Sequence, residues 1–420
     1  MTKQIVVVGA SLSGLRAVEQ LRAHGWKDAI TVVGAEPWMP YNRVPLSKQM
    51  LSAELKATKS LDSDFFEALA LPQSKLLEKV EWQLGNPAVS CSIQNKWVSL
   101  ADGNRIQWDG LVIATGLRPR KLSLQGHDKN RFVVRTLEDA ARLRSALTAG
   151  RKVTVVGAGF LGCEIAAAAT QLGCAVTVID SNTTPLERPL GSAVGRVLQR
   201  YQEAHGVKFI LGQRVDGFSA SATGELIGLR LSNGTFLSTD IVVEALGFHG
   251  NVKWLEGNGL DLHDGVLCNE RLQLAGNPHV VAVGDVVRFV NPLYRAVTNR
   301  PEHWAAPEDT ACHAAASLTG ELLSQTSRDI LFQPLPHHWS SLFSLQIQVI
   351  GAPGLGQKMY IMEGDLNQPL KDQSKLAIGY LNKTTLTGVL LINLPQRHQA
   401  FRQLVLNSLQ EYQNEVLEHA

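Results

Sequence analysis

Two stretches of this chain repeat one order of events: an apolar run, a glycine-rich turn, a helix of small residues, a second apolar run and then an acid. The first reads QIVVVGASLSGLRAVEQLRAHG and then AITVVGAE, ending at Glu36; the second reads KVTVVGAGFLGCEIAAAATQLG and then AVTVID, ending at Asp180. Each order predicts a buried strand, a tight turn, a helix and a second strand parallel to the first. Small residues in the turn let the backbone approach a pyrophosphate, and the helix start offers unpaired N–H groups and a positive dipole end. The acid closing the second strand can accept hydrogen bonds from a ribose diol. Gly9, Ser11, Ser13 and Gly14 are therefore candidates for one dinucleotide, and Gly157, Gly159, Phe160, Leu161 and Gly162 for another. Ser11 stands where the second unit has its middle glycine. A serine is small enough to fit and its hydroxyl can donate to a phosphate, but it permits a less close approach.

A chain of 420 residues exceeds one ordinary core, so two or three domains are expected. Hydrophobic content of 45% and charged content of 19% describe a globular protein. The formal net charge of +2 is too mild to argue for a nucleic-acid partner, and no basic tract carries interleaved aromatics. The apolar run at Ile5 to Val8 enters the glycine turn directly, without the longer apolar region and cleavage site of a signal peptide. No stretch is long enough to span a bilayer, and the expectation is a cytoplasmic protein with no membrane partner.

The five cysteines, Cys91, Cys163, Cys174, Cys268 and Cys312, include no CxxC pair. A reductase that passes electrons from a flavin to a dithiol needs two neighbouring cysteines, and the segment PYNRVPLSK after the first unit has none. Cys163 and Cys174 read as packing residues.

Between and beyond the two units the pattern suggests nested domains. WDGLVIATGLRPR at 108–120 is a strand ending at Ala114-Thr115-Gly116, followed by a basic, proline-containing linker. TLEDAARLRSAL reads as a helix with Thr136 as N-cap and Asp139 completing an approximate capping box. DIVVEALG ends a second strand at Gly247, and NPHVVAVGDVVRF ends a third at Gly284-Asp285. A helix is expected at about 304–324. Beyond it, alternation in HHWSSLFSLQIQVIG, MYIMEGD, KLAIGYLN and LTGVLLIN reads as strands, and FRQLVLNSLQEYQNEVLEHA as a closing amphipathic helix. The predicted fold is α/β, with two Rossmann-like dinucleotide-binding domains, at 1–119 with 246–325 and at 120–245, and a small α+β domain at 326–420.

Taken in order, GASLSGLRAVEQLR, PYNRVPLSK, VIATGLRPR, VVRTLEDAARLR, VGAGFLGCEIAA, DIVVEALG, VAVGDVVRF, EHW and HHWSSLFSLQIQVIG make the chain resemble the FAD-dependent NADH:ferredoxin reductases of bacterial oxygenase systems almost end to end. The resemblance implies FAD at the first unit and NADH at the second. It implies flavin contacts from Gly9, Ser11, Ser13, Gly14, Arg43, Lys48, Val89, Ala114, Thr115, Gly116, Arg135, Gly284, Asp285 and Trp304. Ala35 stands where the family places its ribose aspartate, so Glu36 takes that role here. Lys48 matches the family lysine that stabilises negative charge on a reduced flavin, or is an ordinary surface lysine. Asn42 and Val44 depart from the family's aspartate and proline.

On the nicotinamide side the resemblance implies Gly157, Gly159, Phe160, Leu161, Gly162 and Gly247, with Asp180 on the ribose. The charge of Asp180, and the absence of arginine in Ser181-Asn182-Thr183-Thr184, favour NADH over NADPH, although Arg188 follows closely. Glu164 and Glu302 are candidates to orient the nicotinamide, and Glu164 is equally a carboxylate stabilised at a helix start. Trp339 matches the family tryptophan between flavin and ferredoxin, or packs in a core. The family's Trp-Ser-Asp-Gln becomes Trp339-Ser340-Ser341-Leu342, losing an acid and an amide.

The implied reaction takes hydride from NADH and returns electrons one at a time to a two-iron two-sulfur ferredoxin, which supplies a terminal oxygenase. Lys48, Trp304, Trp339 and Glu302 are the residues nearest that chemistry. Arg118, Arg120, Lys121, Arg295 and Arg300 are candidates for a basic rim facing an acidic ferredoxin. Two other readings remain open at this point: a flavoprotein oxidase or peroxidase, and an NADH-sensing flavoprotein with little turnover. Monomer and homodimer are both compatible with the sequence.

Overall fold

The computed structural model describes residues 3–52, 66–294, 298–300, 305–325 and 331–418. The chain divides into two compact units, one of Met1–Asn42, Phe66–Arg118 and His249–Pro336, the other of Arg43–Phe65, Pro119–Phe248 and His337–Ala420.

The first unit is built on a six-stranded sheet. Gln4–Val8 lies between Ala29–Val33 and Gly110–Ile113, and Val80–Gln83 and Asn277–Ala282 extend it on either side, all parallel. An antiparallel strand, Gln273–Leu274, closes one edge. These strands read as continuous apolar runs because both sheet faces are covered; Ile5, Val6 and Val7 are all completely buried. Helices Leu12–Ala23 and Ala306–Leu322 pack against each other. A Cβ on Gly110 would fall 2.8 Å from Leu322, which shows how closely the second helix lies on the sheet.

The second unit repeats the arrangement with a five-stranded parallel sheet in the order Lys208–Leu211, Ala175–Asp180, Lys152–Val156, Ile241–Glu244 and Arg131–Phe132. Helix Phe160–Gln171 follows its glycine turn. The expected capping box is present: Thr136 Oγ1 accepts from Asp139 N–H at 3.1 Å, and Asp139 accepts from Thr136 N–H at 3.0 Å.

The tail forms a five-stranded antiparallel sheet, ordered His337–Leu342, Leu345–Gly351, Thr385–Ile392, Leu376–Asn382 and Lys358–Glu363. Helix His398–Glu418 packs on it and buries Phe401, Val405 and Leu409. Alternate residues Leu376, Ile378 and Tyr380 share one core with Leu190, Val194 and Leu198 from the dinucleotide half of the same unit. Period-2 alternation gives this sheet a second apolar face, and that face is covered by residues 186–201.

Candidate nucleotide-binding sites

The first turn is shaped by contacts that only glycine allows. Gly9 has φ +124°, and a Cβ on it would sit 2.1 Å from the carbonyl oxygen of Ala114. A Cβ on Gly14 would sit 1.9 Å from the Gly9 oxygen, so this glycine brings helix and strand together. Ser11 is the N-cap residue of Leu12–Ala23 in extended conformation, yet its side chain makes no capping hydrogen bond. Gly284 closes on the same turn from far along the chain: a Cβ there would meet Ser13 Oγ at 2.1 Å, and its N–H donates to buried Thr310 Oγ1 at 2.8 Å. Asp285 follows, half-buried.

Around this turn, Ala114 N–H donates to the Val8 carbonyl at 2.8 Å, and Thr115 Oγ1 donates to the Asn251 carbonyl at 2.7 Å. Gly116 accepts from Asn251 N–H at 2.9 Å. Glu36 accepts from the hydroxyl of buried Tyr41 at 2.5 Å. Val89 lies on the strand Ala88–Ser92 of a separate three-stranded sheet and is 52% exposed.

The second turn uses glycine in a similar way at its ends and differently in its middle. Gly157 has φ +109° and would place a Cβ 2.3 Å from the Ala245 oxygen; a Cβ on Gly162 would lie 1.9 Å from the Gly157 oxygen. Gly159 is exposed and meets nothing within 4 Å. Packing gives no reason for a glycine there, whereas close approach of a ligand to the backbone does. Both turns therefore fit the pyrophosphate of a dinucleotide.

Asp180 accepts from Ala158 N–H at 2.6 Å and from both nitrogens of Asn182, at 2.7 and 2.8 Å, so its carboxylate braces the turn. The loop after it closes on another acid: Glu187 accepts from Thr183 N–H and Oγ1 at 2.9 Å and from Thr184 N–H at 3.0 Å. Those bonds hold the Glu187 carboxyl below the usual carboxylate range. Arg188 is exposed. Gly247, at φ +83°, accepts from Arg120 N–H at 2.9 Å.

At the start of helix Phe160–Gln171 the structure assembles a buried charge cluster that sequence reading does not foresee. Glu164 accepts from Ser47 Oγ at 2.6 Å and Ser340 Oγ at 2.5 Å, and pairs with Lys48 Nζ at 2.8 Å. The Lys48 side chain is 14% exposed, so it is not an ordinary surface lysine. Both Glu164 oxygens are engaged by this chain. Nearby in sequence, Arg43 Nη1 donates to the Arg135 carbonyl at 2.7 Å, and Arg135 stacks over Phe248 at 5.6 Å. Phe160 meets His338 with ring centroids 4.4 Å apart; Leu161 is half-buried.

Trp339 lies on the strand His337–Leu342, half-buried, 5.5 Å from the His337 ring. Burial, with His398 and Arg402 adding positive charge, pushes His337 down to about 4. Glu302, Trp304 and Arg295 lie outside the described residues. Of the other cations considered for a basic rim, Arg118, Arg120 and Lys121 are exposed. Arg300 is not a rim charge: its side chain is 6% exposed and pairs with Asp264 at 3.1 Å.

Cys163 and Cys174 are packing residues, as expected; burial pushes the Cys163 thiol up to about 12 and raises Cys174. Among the described residues there is no cluster of metal-ligating side chains and no helix long and apolar enough to cross a membrane.

Two largely parallel sheets, each with a glycine turn at its strand end, define a protein built to bind two dinucleotides. Residues 3–311 match the pyridine nucleotide-disulphide oxidoreductase family, and the chain belongs to it. It is 34% identical to the ferredoxin–NAD(+) reductase component of the p-cumate 2,3-dioxygenase system of Pseudomonas putida, over 86% of this chain and 84% of that protein. It is 29% identical to putidaredoxin reductase CamA of Pseudomonas putida, over 96% and 92%. A solved structure, the covalent putidaredoxin reductase–putidaredoxin complex, is similar with a TM-score of 0.86 at 28% identity, covering 97% of this chain and 93% of that one. These relatives bear out the family resemblance and the α/β fold expected from the motifs.

Proposed function

We propose that this chain is an NADH-dependent ferredoxin reductase, binding FAD at the Gly9–Gly14 turn and NADH at the Gly157–Gly162 turn. The observation that carries this reading is the duplicated cradle with Gly159 open to a ligand, in a chain without a cysteine pair. The FAD domain is residues 1–119 and 246–325, the NADH domain is 120–245, and the tail is 326–420. FAD, when bound, supplies the exchange between a two-electron donor and one-electron acceptors.

The chain's own residues bind and orient. Gly9, Ser11, Ser13 and Gly14 present the helix start to the flavin pyrophosphate; Glu36, Val89, Ala114, Thr115, Gly116, Gly284 and Asp285 hold the rest of that nucleotide. Arg43 and Arg135 add positive charge. Lys48, held by Glu164, keeps a fixed ammonium for a reduced flavin, and Ser47 and Ser340 keep the carboxylate in place. Gly157, Gly159, Phe160, Leu161, Gly162 and Gly247 receive NADH. Asp180 and Glu187 hold two carboxylates at the end of the second strand and in the loop after it, charges that would repel a 2′-phosphate, which supports NADH over NADPH. Glu302 orients the nicotinamide, Trp304 lies with the flavin, and Trp339 marks the exit toward a two-iron two-sulfur ferredoxin serving an oxygenase. The five cysteines are all free thiols, in keeping with a reducing cytoplasm.

The test is anaerobic rapid mixing of the FAD-loaded protein. NADH is expected to bleach the visible flavin absorbance, and an added two-iron ferredoxin to restore it. Fast reoxidation by oxygen with none by ferredoxin would instead make the protein an oxidase. Failure to bind FAD overturns the reading.

A further inference from the structure

The strand Asn277–Ala282 runs into the single turn Gly284–Val286, which lies against Ser13 at the first glycine turn. Val283 N–H still donates across the sheet, to the Ile113 carbonyl at 2.9 Å. The next N–H, that of Gly284, leaves the ladder and donates to Thr310 Oγ1 at 2.8 Å in a buried hydrogen bond. A buried N–H without a partner is costly, so this bond decides where the turn can lie.

Thr310 sits one turn into the helix Ala306–Leu322 and is wholly buried. A hydroxyl has one proton to give and lone pairs to receive. Here the proton goes to the Ala306 carbonyl in the first turn of the helix, and a lone pair takes the Gly284 N–H. One oxygen thereby ties the start of this helix to the turn that carries Asp285. The same helix holds a natural comparison in Thr319, which is also buried and also donates to the carbonyl four residues back, Ala315, at 2.7 Å. A back-bond of that kind is how a threonine within a helix satisfies itself. Among the described residues the hydroxyl of Thr319 bonds only within its helix, to Ala315 and Ala316, whereas that of Thr310 reaches a glycine 26 residues earlier.

We propose that Thr310 is a positioning residue for the flavin nucleotide: its hydroxyl holds Gly284-Asp285 over Ser13 in the conformation that receives FAD. The proposal rests on the reading that the Gly9–Gly14 turn binds FAD. Gly284 has φ +72°, and even a Cβ on it would come within 2.1 Å of Ser13 Oγ, so the turn is held from one side by Ser13 and from the other by Thr310. A turn already set in the free protein spares the ligand the cost of ordering it. Without the hydroxyl the Gly284 N–H must seek another partner, and Asp285 moves with it.

The experiment titrates the apoprotein of the full chain with FAD, followed by flavin fluorescence, and measures Tm with and without FAD. Thr310→Val keeps the shape of the side chain and removes the acceptor; it is expected to raise the Kd for FAD about tenfold, equivalent to about 1.4 kcal/mol, and to shrink the gain in Tm that FAD gives. Thr310→Ser returns a hydroxyl and is expected to restore parent affinity. Thr319→Val removes the other buried hydroxyl and is expected to leave the Kd unchanged. Thr310→Ala removes the same acceptor without bulk against Gly284, is expected to weaken FAD likewise, and serves in place of Thr310→Val should that variant not fold. A parent that binds FAD beside Thr310 variants of equal affinity overturns the proposal and leaves the functional reading standing. So does an equal loss of affinity in Thr310→Val and Thr319→Val, or a Thr310→Ser as weak as Thr310→Val. A parent that binds no FAD overturns both.

Discussion

The turns at residues 9–14 and 157–162 have the same frame but spend their side chains differently. At both ends, glycine answers to packing: Gly9 and Gly157 lie against the carbonyls of Ala114 and Ala245, and Gly14 and Gly162 against the carbonyls of Gly9 and Gly157. In the middle, the first turn has Ser11 and the second has Gly159 facing open space. Two residues beyond the last glycine the contrast is sharper. Arg16, partly exposed, pairs with buried Glu19 and with exposed Glu308, whereas Glu164 is buried and gathers Lys48, Ser47 and Ser340. A shared motif therefore fixes the backbone, and the positions it leaves open are where the two sites become different.

The largest test of that contrast is Glu164→Ala, which leaves the Lys48 ammonium buried without its partner. A loss of about 3 kcal/mol is expected, against about 1–2 kcal/mol for Arg16→Ala, whose partner Glu19 is buried while its other partner Glu308 stays in solvent. Thermal and denaturant unfolding measure both, and equal losses would break the comparison. Next come the end glycines. Gly14→Ala and Gly162→Ala force a methyl onto a carbonyl oxygen and are expected to cost about 1–3 kcal/mol, read as a lower Tm.

Gly159→Ala should leave Tm unchanged while raising the KM for NADH roughly tenfold, equivalent to about 1.4 kcal/mol. A drop in Tm with unchanged KM would mean that the middle glycine serves the fold. Asp180→Asn is expected to narrow the preference for NADH over NADPH by a similar factor, measured as the ratio of kcat/KM for the two. The smallest effect is expected from Ser11→Ala. If the hydroxyl donates to a phosphate, FAD affinity falls by about 1 kcal/mol, a change that equilibrium titration of the apoprotein resolves.

Much of the architecture was legible because strand and helix periodicities are local. The runs around Ile5 and Val153, the box at Thr136 and Asp139, and the closing helix all appear where their spacing puts them. The tail was less legible. Its sheet buries Leu376, Ile378 and Tyr380 against Leu190 and Val194, and nothing in a strand's alternation says which distant helix will cover its second face. The site divides in the same way. The glycines announce themselves by spacing, but Ser47 and Ser340 carry no signal that they will meet one carboxylate. Ser340 is noticeable in the sequence only as a neighbour of Trp339, in a motif that departs from its family.

By itself the sequence determined the two dinucleotide frames, their acids and the absence of a cysteine pair, because each depends on residues close together in the chain. The tertiary structure alone decided that Gly284 would close against Ser13 and that Glu164 would hold Lys48 between two serines. Those contacts join segments far apart in the chain. They form only when packing brings together buried polar groups that must find partners, and no local pattern specifies which partners those will be.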